Sequence, residues 1–300
     1  MENIVRFEDY NYLERKKIIS RLREAYPILN VKSIGTSCAG REITAIKLGQ
    51  ASEFSLITAA FHGSERITSV ILLYFIEKLC SAMSNDTSVA GLNAIRAMYG
   101  RGVIFVPCVN PDGCDIAKEG VYGCGALGNS VAKLCKNDFT HWNANLRGVD
   151  INHNFSAGWQ DLREIERNNG IYGPGPTKFG GYKPESEPET LALTELCRTV
   201  KIRHVVALHT QGEVIYWNYG DKIPPRSKRM AEIFATTSGY ALDVPTGTAV
   251  GGGFKDWFIS EFDRPGFTFE LGRGTNPLPI SDAPKIYEQI EETLMLAAMM

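Results

Sequence analysis

His62 and Glu65 stand three residues apart in Phe61-His62-Gly63-Ser64-Glu65, where an apolar run of strand length, Leu56 to Phe61, breaks off. His209 ends a second apolar run, His204 to His209, and Glu270 lies in a third, Gly266 to Leu271. Two neutral imidazoles and one carboxylate are the donor set of a catalytic zinc site that keeps one coordination position open. Zinc in such a site lowers the pKa of water from 15.7 to roughly 7, and a neighbouring carboxylate can take the proton. On this reading His62, Glu65 and His209 hold one Zn2+ per chain and Glu270 is the spare carboxylate. The plain alternatives are a strand-end histidine capped by an acid, a core histidine at 209, and Glu270 paired with Arg264 or Arg273.

These residues act together only if the strands that carry them end at one place. Four apolar strands are expected, ending at or just before His62, Asn110, His209 and Glu270. Residues 66–80 read as a largely buried helix, because apolar residues occupy nearly every face. Further helices are expected over 10–26, near 89–98, from Ser186 to about 200, and over 281–300, with short strands at 31–34 and 42–48. Ser186-Glu187-Pro188-Glu189 fits a capping box, with Ser186 as N-cap and Glu189 at the third position. Asn110-Pro111-Asp112-Gly113 has the residue types of a β-turn. Strands alternating with helices imply an α/β fold, a central mixed, largely parallel sheet flanked by helices, in one domain over 1–300. Ligands of open α/β sheets bind beyond the carboxyl ends of the strands, which is where the four side chains fall.

Composition excludes several classes. The chain has 300 residues, 44% of them hydrophobic, a formal net charge of -2 and a pI near 6.2, with no basic stripe for nucleic acid. No uninterrupted apolar stretch of membrane-spanning length stands out, and the first residues lack the pattern of a signal peptide, so a cytoplasmic enzyme is expected. The seven cysteines have no regular spacing and read as reduced thiols; Cys114, Cys124 and Cys135 lack the C-x-x-C pair of a zinc cluster.

In this order, His62-Gly63-Ser64-Glu65, Asn110-Pro111-Asp112-Gly113, Gly148-Val149-Asp150-Ile151-Asn152-His153-Asn154-Phe155, Ser186-Glu187-Pro188-Glu189, His209 and Phe267-Thr268-Phe269-Glu270-Leu271 resemble the zinc metallocarboxypeptidases. Trp142 to Arg147 and Gly272 to Pro279 look most like the bacterial branch that cuts γ-D-glutamyl-diaminopimelate bonds in peptidoglycan peptides. The resemblance implies His62, Glu65 and His209 as zinc ligands and Glu270 as general base, then acid. It also implies a small peptide or muropeptide as substrate. The chain departs from the pattern at the substrate end. Asn152-His153 replaces the Asn-Arg pair that grips a terminal carboxylate, and histidine lacks the bidentate fork of arginine. Asn143 follows Trp142 where an oxyanion-steadying arginine is expected, which leaves Arg147 as the substitute or as one half of a surface salt bridge. Lys255 occupies the position that sets side-chain preference, as a cation for a substrate carboxylate. Two other readings stay open: a carboxypeptidase removing acidic C-terminal residues, and a catalytically silent peptide- or sugar-binding module.

Overall fold

The run that stops at His62 is a central strand of an eight-stranded sheet. In the computed structural model, which describes residues 3–300, its strands are β1 (Leu29–Thr36), β2 (Glu42–Gly49), β3 (Phe54–Ala59), β6 (Gly102–Val106), β7 (Ile202–His209), β8 (Val214–Tyr216), β9 (Ala241–Asp243) and β10 (Gly266–Glu270). A separate two-stranded hairpin holds β4 (Ser88–Val89) and β5 (Leu92–Asn93). The order across the large sheet is β1-β2-β6-β3-β7-β10-β8-β9. β3 pairs in parallel with β6 and β7, and β7 in parallel with β10, while β1/β2, β2/β6 and β10/β8 are antiparallel. The sheet is therefore mixed, with a parallel centre, as the sequence implied.

Burial on both faces explains the composition of the centre. Every residue of β3 and β6 is buried, so both strands read as continuous apolar runs without alternation. Ile57, Ala59, Phe105, Val206 and Leu208 face helices α2 (Ile67–Ser84) and α10 (Ala283–Met299). Leu56, Ile104, Val205 and Ala207 face α7 (Pro188–Thr199) and α9 (Phe254–Phe262), where Phe254, Trp257 and Phe258 fill the space. A third, smaller apolar cluster gathers Ile116, Val131, Trp142 and Leu146 beside the strand ends.

Several local expectations are corrected. Residues 110–113 do not form an isolated turn. Asn110 is the N-cap of helix α4 (Pro111–Glu119), its side chain accepting from the Gly113 N–H at 2.9 Å, with proline in the first turn. The N-cap of α7 is Glu187, not Ser186, and no side chain caps it; Ser186 Oγ donates to Glu187, and Glu189 is engaged elsewhere. The stretch 89–98 begins as the β4/β5 hairpin, turning at Gly91 with φ 78°, before the short helix α3 (Ala94–Met98). Gly63–Ser84 is long and apolar enough to cross a membrane by composition, against expectation, but 72% of its most apolar window is buried in the fold. The sequence reading missed β8, β9, helix α8 (Ser227–Ser238) and α9; β8 and β9 have only three residues each.

Asn110 ties the strand ends together. Its fully buried side-chain amide donates to the carbonyls of Phe61 (2.9 Å), Ala144 (3.1 Å) and Asn143 (3.2 Å). Asn110→Ala removes a helix cap and strands buried carbonyls, so stability should fall by roughly 2–4 kcal/mol. Urea denaturation checks this; a loss below about 1 kcal/mol would mean water replaces the amide.

Candidate metal centre and cleft

His62 leaves β3 in extended conformation and Glu65 closes the 3₁₀ turn Gly63–Glu65 that leads into α2. Glycine is required between them, since a Cβ at Gly63 would run into the backbone carbonyls of Gly113 and Trp142. His209 ends β7 and Glu270 ends β10, and the two are paired neighbours in the parallel ladder. The strand ends thus converge as the sequence implied.

Glu65, 4% exposed, lies between the two imidazoles. Its Oε1 is 2.8 Å from His62 Nδ1 and its Oε2 is 2.9 Å from His209 Nδ1. Burial alone raises the Glu65 carboxyl pKa, but His62 and His209 outweigh burial and bring it to about 2. One ligand atom from each of the three residues lies within 4.8 Å of the others, and Glu270 shares their cleft. Three donors at about 2.0–2.2 Å from one ion need such a cluster, and two nitrogens with one oxygen suit zinc. The residues therefore fit the metal.

A residue the sequence reading left without a role orients this set. Asp150 Oδ1 is 3.1 Å from His62 Nε2 and accepts the Nε2 proton, so loss of the Nδ1 proton that faces Glu65 would leave the Nδ1 lone pair to a metal. Asp150 is itself fixed by the backbone N–H groups of Asn152 (3.2 Å) and Lys178 (2.9 Å). Burial opposes its charge, but His62 and His153 hold its carboxyl well below the usual range. Nothing in the 88-residue separation of His62 and Asp150 revealed the contact. Asn276, also missed, donates to the carbonyl of Thr210 at 2.8 Å and reaches Glu65 Oε1 at 3.5 Å.

A cleft of about 160 Å³ opens beside the cluster, lined by His62, His209 and Glu270 and by Asn152, His153 and Lys255. Burial and then the Glu65 charge push the Glu270 carboxyl up to about 8. Asn152 Oδ1 accepts from the Phe254 N–H at 3.0 Å. His153 Nδ1 is 2.7 Å from the fully buried Glu166. Lys255 is not a free cation: it ion-pairs with Asp256, also in the cleft wall, and donates to the Asn218 carbonyl at 2.5 Å. Arg147 is not brought to the cleft. Its side chain is 56% exposed and its guanidinium lies 3.6 Å from Glu187, which is the surface salt bridge of the two alternatives.

Cys38, Glu187 and Glu189 form a second group of possible donors. Asn145 already serves it, with Nδ2 at 2.8 Å from Glu187, 3.1 Å from Glu189 and 3.3 Å from Cys38 Sγ. An amide that donates to all three makes this a structural junction. No such group joins Cys114, Cys124 and Cys135 among the described residues.

Asp150→Asn keeps the shape but removes the charge behind His62. Zinc affinity, measured by competition with a chromophoric chelator, should fall about 10–100-fold. Unchanged affinity would show that Asp150 does not support the metal ligand.

The comparisons with known proteins agree with this geometry. The zinc carboxypeptidase family profile matches residues 16–294. The chain is 38% identical over 285 residues to gamma-D-glutamyl-L-diamino acid endopeptidase 1 of Lysinibacillus sphaericus, covering 94% of this chain and 70% of that protein. It is 26% identical over 235 residues to murein peptide amidase A of Escherichia coli (strain K12), covering 74% and 76%. Bovine thrombin-activatable fibrinolysis inhibitor, solved with tick carboxypeptidase inhibitor, superposes with a TM-score of 0.76 at 19% identity over 97% of each chain, a likeness of fold. With the profile spanning nearly the whole chain and the His-Glu-His donors gathered at the strand ends, the chain belongs to the zinc carboxypeptidase family.

Proposed function

We propose that this chain hydrolyses the amide between γ-D-glutamate and a diamino acid in small peptidoglycan peptides. The observation that carries this reading is the Lys255–Asp256 pair in the wall of the metal-side cleft. An ammonium beside a carboxylate complements a substrate end that bears both an amino and a carboxylate group, as the far end of diaminopimelate does. The printed names of the Lysinibacillus and Escherichia relatives support the same substrate class. Seven unpaired cysteines suit a reducing compartment, where fragments of cell wall would be met as imported peptides.

His62, Glu65 and His209 would hold the zinc, which supplies Lewis acidity for the scissile carbonyl and a lowered pKa for water. The protein's own groups do the rest. Glu270, which the charge of a bound cation would bring back to its ionised form, takes the proton of the attacking water and returns it to the leaving nitrogen. Asn152 has its carbonyl oxygen occupied by Phe254 N–H, which leaves its NH2 to donate to a substrate carboxylate. His153, with Nδ1 held by Glu166, offers Nε2 alone. That is one contact where arginine makes two, so a peptide's terminal carboxylate is gripped weakly. Arg147, outside the cleft, takes no part in this reading.

Glu270→Gln should retain zinc and lower kcat by about 10²–10⁴-fold on a γ-D-glutamyl-diaminopimelate peptide, because the amide cannot accept the proton. A variant with wild-type kcat would remove Glu270 from the role.

Lys255→Ala should reduce kcat/KM on that peptide by roughly 1.5–3 kcal/mol, the worth of a hydrogen bond to a charged group. On the analogue ending in L-lysine, which lacks the far carboxylate, the loss should be smaller. Equal losses on both substrates would mean that Lys255 supports the cleft wall and does not read the carboxylate. Rapid cleavage of α-linked peptides with apolar C-termini by the wild type would favour the ordinary carboxypeptidase reading.

A further inference from the structure

Two of the seven cysteines, one on either side of Asn110 in sequence, lie in contact. Cys108 follows β6 and Cys114 lies in the first turns of α4, and their sulfurs are 3.7 Å apart. Cys114 is fully buried, while Cys108 is partly exposed and lines a small cavity of about 30 Å³ together with Tyr12, Arg15, Lys16, Pro107 and Pro111. That volume holds one or two water-sized molecules. Arg15, 4% exposed, is fixed there by Asp115 (3.1 Å) and by the Tyr10 carbonyl (2.6 Å), so a buried guanidinium is held beside the two sulfurs.

We infer that Cys108 and Cys114 are a dithiol that a hydroperoxide converts reversibly to a disulfide, and that Asn110 couples this change to the metal cluster. Position also separates the two sulfurs by role: Cys108 lines the opening and is partly exposed, whereas Cys114 is fully buried behind it. Arg15 and the Asn110 N–H favour a thiolate at Cys108 against burial. Cys80 and Cys124, by contrast, are pushed up by burial to about 12 and about 11, and burial raises Cys38, Cys135 and Cys197 as well. The thiolate is the nucleophile, so Cys108 reacts first.

The Cys108 thiolate attacks the outer peroxide oxygen; the O–O bond breaks, giving a sulfenic acid and releasing the alkoxide or hydroxide, which takes up a proton. The Cys114 sulfur then attacks the Cys108 sulfur, its proton leaving with the hydroxyl as water while the S–S bond forms. Two thiols lose two electrons and the hydroperoxide is reduced to an alcohol, or to water, with one further water released. Bringing the sulfurs from 3.7 Å to about 2.05 Å draws the end of β6 and the first turns of α4 together. Asn110 sits between them, and its amide holds the Phe61 carbonyl next to His62. Phe61 in turn stacks on His209 with ring centroids 5.1 Å apart.

The test treats zinc-loaded protein with a small excess of hydrogen peroxide, followed by peptide mass spectrometry and a turnover assay. A Cys108–Cys114 cross-link should form before any other cysteine is modified, turnover should fall several-fold, and a phosphine reductant should reverse both. In Cys114→Ser, Cys108 should stop at the sulfenic acid and be captured by dimedone, with a far-UV circular dichroism spectrum matching the wild type as the check on the fold. Oxidation spread over several cysteines, or Cys108 passing to the sulfinic acid in the wild type, would overturn the site. Full turnover in the cross-linked protein would overturn its coupling through Asn110.

Discussion

A carboxylate buried as deeply as Glu65 is costly unless positive or hydrogen-bonding groups surround it. In this protein the compensation comes from two imidazoles, each supplied by a different strand end. The requirement fixes the relation of β3 to β7, the direction of both strands, and the tight turn at Gly63 that brings Glu65 back beside His62. Asp150 then completes the row of alternating charge, and its own carboxylate is compensated by backbone N–H groups. The cluster is pre-organised in the sense that each member is held by the others and by rigid elements, which is what a metal site needs from its protein.

What could be read from the sequence follows from the physics of each element. β3, β6, β7 and β10 are buried on both faces, and such strands announce themselves as apolar runs ending at polar residues. Their ends carried His62, His209 and Glu270, so most of the cluster could be assembled without coordinates. Asp150 could not, because it sits in a loop with no periodicity and meets His62 only through the fold. Lys255 was legible by position but its partner was not: a lysine next to an aspartate in sequence says nothing of whether the two side chains meet. In the structure they form a buried pair.

Arg147 and Ser186 show the opposite case. Each belongs to a motif with more than one physical outcome, and nearby acids decided it. Glu187 takes the N-cap position that Ser186 was expected to fill, while its carboxylate draws Arg147 to the surface side. Glu189, expected to close a capping box, is instead fully buried at the Asn145 junction. Local rules for helix caps lose here to the demand that buried polar atoms find partners.

The apolar helix α2 carries a consequence for how the chain is made. Its buried side faces α10, residues 283–299, and the sheet is completed next to β3 only when residues 202–209 arrive. At synthesis rates of 5–20 residues per second, α2 waits roughly 10–40 s for α10 to appear. During that interval a segment with the composition of a membrane span is without its permanent cover. The chain's most sensitive period for aggregation therefore lies between the emergence of α2 and that of α10.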